Sequence, residues 1–231
     1  MPYRLRRHPL AIAAHFRHSL VLAYTFPRER LEPLLPPGLV LDTHGAHGLA
    51  AVAVVQTERL RPRGLPRALG LDFVLCGYRI FVRVAGRESL RGLYILRSET
   101  NRRAIALLGN LLTHYRYRTV PIALRERGDA LEVDAPGLEV CVRLGLPPAL
   151  PDGSRFEDLG QARRFAGPLP YTFDYERETG RIVAVRGVRS GWEPEPVTVE
   201  RARVDEFADG VLANAFHVAG VEYAWERGRL L

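Results

Sequence analysis

"LDFVLCGYRIFVRVAGRESLRGLYILRS", residues 71–98, reads as two apolar strands around a short polar turn at "GRES". In the first strand, Val74, Cys76, Tyr78, Ile80, Val82 and Val84 alternate with Leu75, Gly77, Arg79, Phe81 and Arg83. Side chains of a strand alternate between its two faces, so the first set is a core face and the second a separate surface. Glycine, arginine and phenylalanine on one face suit a cavity wall: Gly77 leaves room, Phe81 gives apolar contact and Arg79 a planar two-pronged donor for a carboxylate. Arg83, near the turn, is expected at the surface.

Outward from this hairpin the same pattern recurs. Upstream, "SLVLAYTF" (19–26), "LVLDT" (39–43) and "GLAAVAVVQTERL" (48–60) are strand-like, the last two joined across "HGAHG". A short helix over 27–35 begins at Pro27. Downstream, Ile105, Leu108 and Leu112, with Leu107 and Leu111 alongside, recur at helical spacing and predict a helix over about 100–114. Strands are predicted within 115–127 and 137–144, and a helix over 155–165 from the Ser154/Glu157 capping box. A hairpin over 171–187 turns at "ETGR", and a strand over 195–204, a short helix over 205–213 and a strand over 215–226 close the chain. The fold class expected is α+β, mostly antiparallel β, in one domain over 1–231.

The chain holds 33 basic residues, all arginine, and no lysine. Imine chemistry needs a side-chain amine that can deprotonate, and arginine cannot supply it. Aldolase-type Schiff bases, pyridoxal phosphate attachment and a Walker lysine are therefore excluded. The net charge of +7 invites a nucleic-acid reading, but the arginines are dispersed and the densest run, "ERLRPRGLPR" (58–67), is broken by Pro62, Gly64 and Pro66. Cys76 and Cys141 lack CxxC spacing and sit in apolar strands, as reduced core residues of a cytoplasmic protein do. The run "PLAIAA" is too short for a secretory core, and no segment is apolar enough to span a membrane. No GxSxG, phosphate loop or dinucleotide fingerprint occurs.

Polar candidates gather at "RSETN", 97–101. Ser98 or Thr100 can cap the helix that follows, and Glu99 is favoured by the helix dipole, which is a structural explanation of both. Arg97, Glu99 and Asn101 also lie beside backbone N–H groups suited to an anion, and Glu99 can act as acid or base if burial raises its pKa. His114, one helical turn after Asn110, is the second acid–base candidate, although the helix dipole alone explains a histidine there. His15/His18 and His44/His47 have HxxH spacing without a carboxylate or cysteine partner, so no metal site is expected. His217 reads as a core histidine.

"FPRERLEPLLPPGLVLD" (26–42), "FVLCGYRIFVRV" (73–84), "GLYILRSETNRRAIALLGNLLTHYRY" (92–117) and "AFHVAGVEYAWERG" (215–228) together resemble the YqjF-like bacterial family, domain of unknown function 2071, of the acetoacetate decarboxylase-like superfamily. The resemblance runs from about residue 15 to residue 227. It implies a cone-shaped antiparallel β-barrel around a small-molecule cavity. In the decarboxylases the catalytic lysine comes near the place of Ser98 or Glu99, so the fold can carry over while the decarboxylase mechanism cannot. The family's glutamate before an "R-x-Y-V" strand corresponds to Leu75 here, with Arg79 and Phe81 matching the arginine and aromatic.

The function expected is a barrel binding a small anionic metabolite through Arg79, Arg97, Ser98, Asn101 and Phe81. Glu99 and His114 would do acid–base work of a lyase or isomerase kind, without cofactor or metal. A non-catalytic accessory protein and an arginine-rich nucleic-acid binder are the alternatives. Neither a membrane nor any particular oligomeric state is called for.

Overall fold

The computed structural model describes residues 2–167 and 169–231; Met1 and Pro168 lie outside the described residues. Seven strands form a closed ring. They are Ile12–Pro27, His47–Pro62, Leu71–Val84, Arg87–Thr100, Tyr171–Glu176, Arg181–Ser190 and Val211–Trp225. Ile12–Pro27 pairs with His47–Pro62 on one side and Val211–Trp225 on the other, and the 71–84/87–100 hairpin continues the sheet. Closure comes at Tyr171–Glu176, which runs parallel to Arg87–Thr100, and at Arg181–Ser190, whose last residues pair with 222–225. All other ring pairings are antiparallel.

A second, four-stranded antiparallel sheet packs on the ring: Ala123–Arg127, Ala130–Ala135, Leu138–Arg143 and Thr198–Val204. Between the two layers lies the main core. The ring contributes Leu20, Leu22, Val52, Val54, Cys76, Tyr78 and Ile80; the second sheet contributes Leu131, Val133, Leu138 and Val140. The opposite face of the ring strands is built of small residues, Ala23, Ala51, Ala53 and Ala213, with Phe81 and Leu49 at one end under the Leu159–Ala166 helix. Alternation along each strand thus divides one apolar sequence into two faces, one packed on the second sheet and one, with its run of alanines, turned away from it.

Several expectations need correction. The helix expected over 155–165 spans Leu159–Ala166, capped by Asp158, whose carboxylate accepts from Gln161 N–H at 2.6 Å. Ser154 instead accepts from Phe156 N–H and donates to Ala213 O, which pins the preceding loop to the ring. The helix expected over 205–213 is a single turn, Asp205–Phe207, because the long final strand already begins at Val211. The Ala130–Ala135 strand escaped the sequence reading. Arg83 is not a free surface arginine. It donates to the fully buried Asp42 at 2.7 Å, while Arg91 donates to the other oxygen at 2.6 Å. The helix expected over 100–114 spans Arg103–Leu112, buries Ile105 and Ala106 and leaves Leu107, Leu108 and Leu111 exposed.

Candidate functional site

The Leu71–Val84 strand turns Arg79 toward the middle of the ring. A β-bulge where it meets Arg87–Thr100 sets Tyr78 opposite Arg97 and Arg79 opposite Ile95. The guanidinium folds back over Gly77: a Cβ built there would come 3.0 Å from Arg79 Nη2 and 3.3 Å from Nε. The room that the sequence assigned to Gly77 is therefore filled by the arginine itself.

Tyr223 interacts electrostatically with Arg79 although two strands stand between theirs in the sheet, so the two meet across the ring. Tyr115 and Tyr117 come in from the segment after the Arg103–Leu112 helix. Asn110 holds that segment by donating to Tyr117 O and accepting from Tyr117 N–H, and Gly109 allows the Tyr117 ring to lie against the helix. The Tyr117 hydroxyl lies beside Ser98, and the Tyr115 hydroxyl beside Thr172 without a well-aligned hydrogen bond. Phe16, Trp192 and Trp225 pack around Tyr223.

Arg79, Tyr115, Tyr117 and Tyr223 each keep some open surface, being only partly buried. Yet removal from water is the largest influence on the charge state of each. All four thus stand between full burial and free exposure, on the side of the ring that faces away from the second sheet. Two outer clefts, of about 300 and 230 Å³, open elsewhere, between Gly38 and Ile182 and between Tyr171 and Arg229, and neither includes Arg79.

Asp174 acts on Tyr115 and Tyr117, and Arg189 acts with Arg79 on Tyr223. Burial pushes the Arg79 guanidinium down from its ordinary value, and the only groups that oppose this are tyrosines. Burial pushes the Tyr117 hydroxyl up to about 12 and those of Tyr115 and Tyr223 upward as well. All three therefore stay protonated and can donate hydrogen bonds. Among the described residues no carboxylate faces Arg79, and its buried Nε has no hydrogen-bond partner.

The other sequence candidates divide by strand face. Ser98, opposite Gly77, shares the face of Arg79, and Phe81 lies further along it in apolar packing. Arg97 and Glu99 face the second sheet. Arg97 stacks on Tyr78 at 3.9 Å, donates to Glu99 at 3.1 Å and also to Glu206, while Glu99 lies next to Cys76. One Glu99 oxygen, Oε2, is buried with no partner among the described residues. Asn101 accepts from Val74 N–H, which ends the hairpin pairing. His114 donates its backbone N–H to the buried Asp174 at 2.7 Å. The structure thus gathers Arg79, Ser98 and Phe81 on one side and sets Arg97 and Glu99 on the other.

Sequence reasoning missed Tyr223, Thr172 and Asp174. Asp174 accepts from the N–H groups of His114 and Tyr175 and lies 3.4 Å from His8 Nε2, whose ring packs against Tyr115. Nothing local marks these residues, because each reaches the site from a distant strand.

A family model described as an uncharacterized conserved protein, DUF2071, matches residues 13–221. The chain belongs to the DUF2071 family. No curated protein matches this DUF2071 chain. Among solved structures it is similar to acetoacetate decarboxylase from Legionella pneumophila, at 13% identity and a TM-score of 0.66, covering 96% of this chain and 88% of that one. It is also similar to an acetoacetate decarboxylase-like enzyme from Sphingomonas wittichii, at 17% identity and 0.59, covering 98% and 94%. The enduracididine biosynthesis enzyme MppR, complexed with pyruvate, matches at 13% and 0.58, covering 96% and 90%. The DUF2071 chain has the acetoacetate decarboxylase-like fold, with its few helices and mostly antiparallel strands.

Proposed function

We propose that the chain binds a small carboxylate-bearing metabolite inside the ring, with Arg79 as its counter-charge. One observation carries this reading: Arg79 is a cation withdrawn from bulk water, with its Nε buried and unpartnered and no carboxylate partner among the described residues. Leaving an ion uncompensated away from water costs several kcal/mol, and a guanidinium fork matches a carboxylate two bonds at a time. Protonated Tyr115, Tyr117 and Tyr223 supply further donors for the oxygens of such a ligand, and Ser98 stands beside Tyr117. A structure of the same fold holds pyruvate, a small carboxylate, which supports the ligand class. Chemistry at the bound acid proceeds without an imine, since the chain has no lysine. Proton transfer of a lyase or isomerase kind is consistent with the tyrosine donors, and simple ligand binding uses the same residues.

The test is a thermal-shift series against pyruvate, acetoacetate and other small keto, hydroxy and aromatic acids, run in parallel on Arg79→Ala. A ligand at about 100 times its Kd stabilises by roughly 2.7 kcal/mol. Stabilisation of the native chain that vanishes in the variant supports the reading, and an acid that stabilises both equally places its site elsewhere. Acids that pass this test then go to turnover assays, which separate an enzyme from an accessory protein.

A further inference from the structure

The exposed leucines of the Arg103–Leu112 helix are not accounted for by the Arg79 site. Leu107 is 73% exposed, Leu108 46% and Leu111 52%, on a helix that already anchors itself through buried Ile105 and Ala106. Leu5, 48% exposed, stands in the Pro2–Arg6 turn, which packs against this helix; the link is fixed by His8 N–H donating to Leu112 O. Two segments distant in sequence thus present apolar side chains in one region of the surface.

The same segments are basic. Arg102 and Arg103 open the helix, and Arg103 shares a stripe with Leu107 and Leu111 at i, i+4 and i+8. Arg4 and Arg6 flank Leu5, and all four arginines are exposed. Segments 2–18 and 101–119 contain no aspartate or glutamate at all.

From this juxtaposition we infer that the Arg103–Leu112 helix and the Pro2–Arg6 turn dock on an anionic lipid surface. A lipid headgroup layer rewards both halves of the patch: leucines enter the acyl boundary while arginines stay with the phosphates. The helix is a convex ridge and suits a flat surface. A second copy of this chain suits it less, because a two-fold contact sets the same patch against itself and brings arginine toward arginine. A nucleic acid would reward the arginines and leave the leucines in water. No helix of the described residues is long and apolar enough to cross a membrane, so the contact is peripheral.

The experiment is vesicle flotation of the whole chain, with phosphatidylcholine alone and with phosphatidylserine added. Flotation with the mixed vesicles only, weakened by added salt, is expected. Arg102→Gln with Arg103→Gln should weaken it roughly fivefold for each charge removed. Leu107→Ser with Leu111→Ser should abolish it at physiological salt; both leucines are exposed, and Leu107→Gln alone serves if the pair misfolds. Failure to float with phosphatidylserine overturns the inference, as does flotation unchanged by the leucine substitutions. A dimer in sedimentation velocity that the leucine pair dissolves would assign the patch to a second copy instead. Retention of RNA that the leucine pair leaves intact, without flotation, would assign it to nucleic acid. None of these outcomes depends on Arg79, so the carboxylate reading is tested separately.

Discussion

Replacing Arg79 by methionine should stabilise the ligand-free protein and abolish its response to ligand. The guanidinium lies among tyrosine rings and alanine-lined strands, with no carboxylate partner among the described residues and burial as the largest influence on its charge state. A fully buried, unpaired ion carries a penalty of several kcal/mol even after relaxation. Arg79 keeps some open surface and has hydroxyl dipoles around it, so about 2 kcal/mol is the gain to expect from an unbranched apolar side chain that fills the same space over Gly77. Urea unfolding, followed by the fluorescence of Trp192 and Trp225, measures this in buffer free of carboxylates and phosphate. Added at about 100 times its Kd, a bound acid should raise the native chain by roughly 2.7 kcal/mol and leave the variant unchanged. The order of stability of the two proteins then reverses between the two conditions. A methionine variant that is less stable than the native chain by more than about 1 kcal/mol without ligand would falsify the argument. It would mean that protein groups already satisfy the guanidinium.

Three further outcomes follow from the packing. His18 Nδ1 and His217 Nε2 lie 3.0 Å apart, both buried, with Glu126 3.5 Å from His18 and Arg17 and Glu58 also acting on it. Burial lowers His217 to about 4, and it lowers His18 as well. The folded state then binds fewer protons than the unfolded one, whose histidines titrate near 6.5. Stability should be complete above that pH and fall by about 3 kcal/mol on His217's account as pH drops toward 4, a slope that His217→Gln flattens in denaturation measured across pH. Leu131→Ala, at a fully buried position between ring and second sheet, should cost about 3–4 kcal/mol in urea unfolding and leave ligand-induced stabilisation unchanged. Glu99→Gln should cost about 1–2 kcal/mol, because Arg97 keeps Glu206 but loses one charged acceptor, and should also leave the ligand response intact. A ligand response lost in Glu99→Gln would return that residue to the site.

What the sequence could decide lay in local pattern. Period-two alternation in 71–84 separated Arg79, Gly77 and Phe81 from Cys76, Tyr78 and Ile80, and the structure keeps that division, with the second set in the core against the second sheet. The absence of lysine excluded imine chemistry without reference to any fold. Motifs spread along the chain carried the family and its decarboxylase-like fold, which the match over residues 13–221 and the solved structures show. Tertiary structure decided everything that depends on distant strands meeting. "RSETN" looked like one cluster, but consecutive strand residues point to opposite faces, so Ser98 turns to Tyr117 on the Arg79 side while Arg97 and Glu99 turn to Glu206 and Cys76. Ring closure brought Tyr223 to Arg79 across more than a hundred residues of sequence, a proximity that no window of local pattern contains. The leucines of the Arg103–Leu112 helix show the same limit. Helical period places them on one side, and only the packing of Ile105 and Ala106 determines that this side meets solvent.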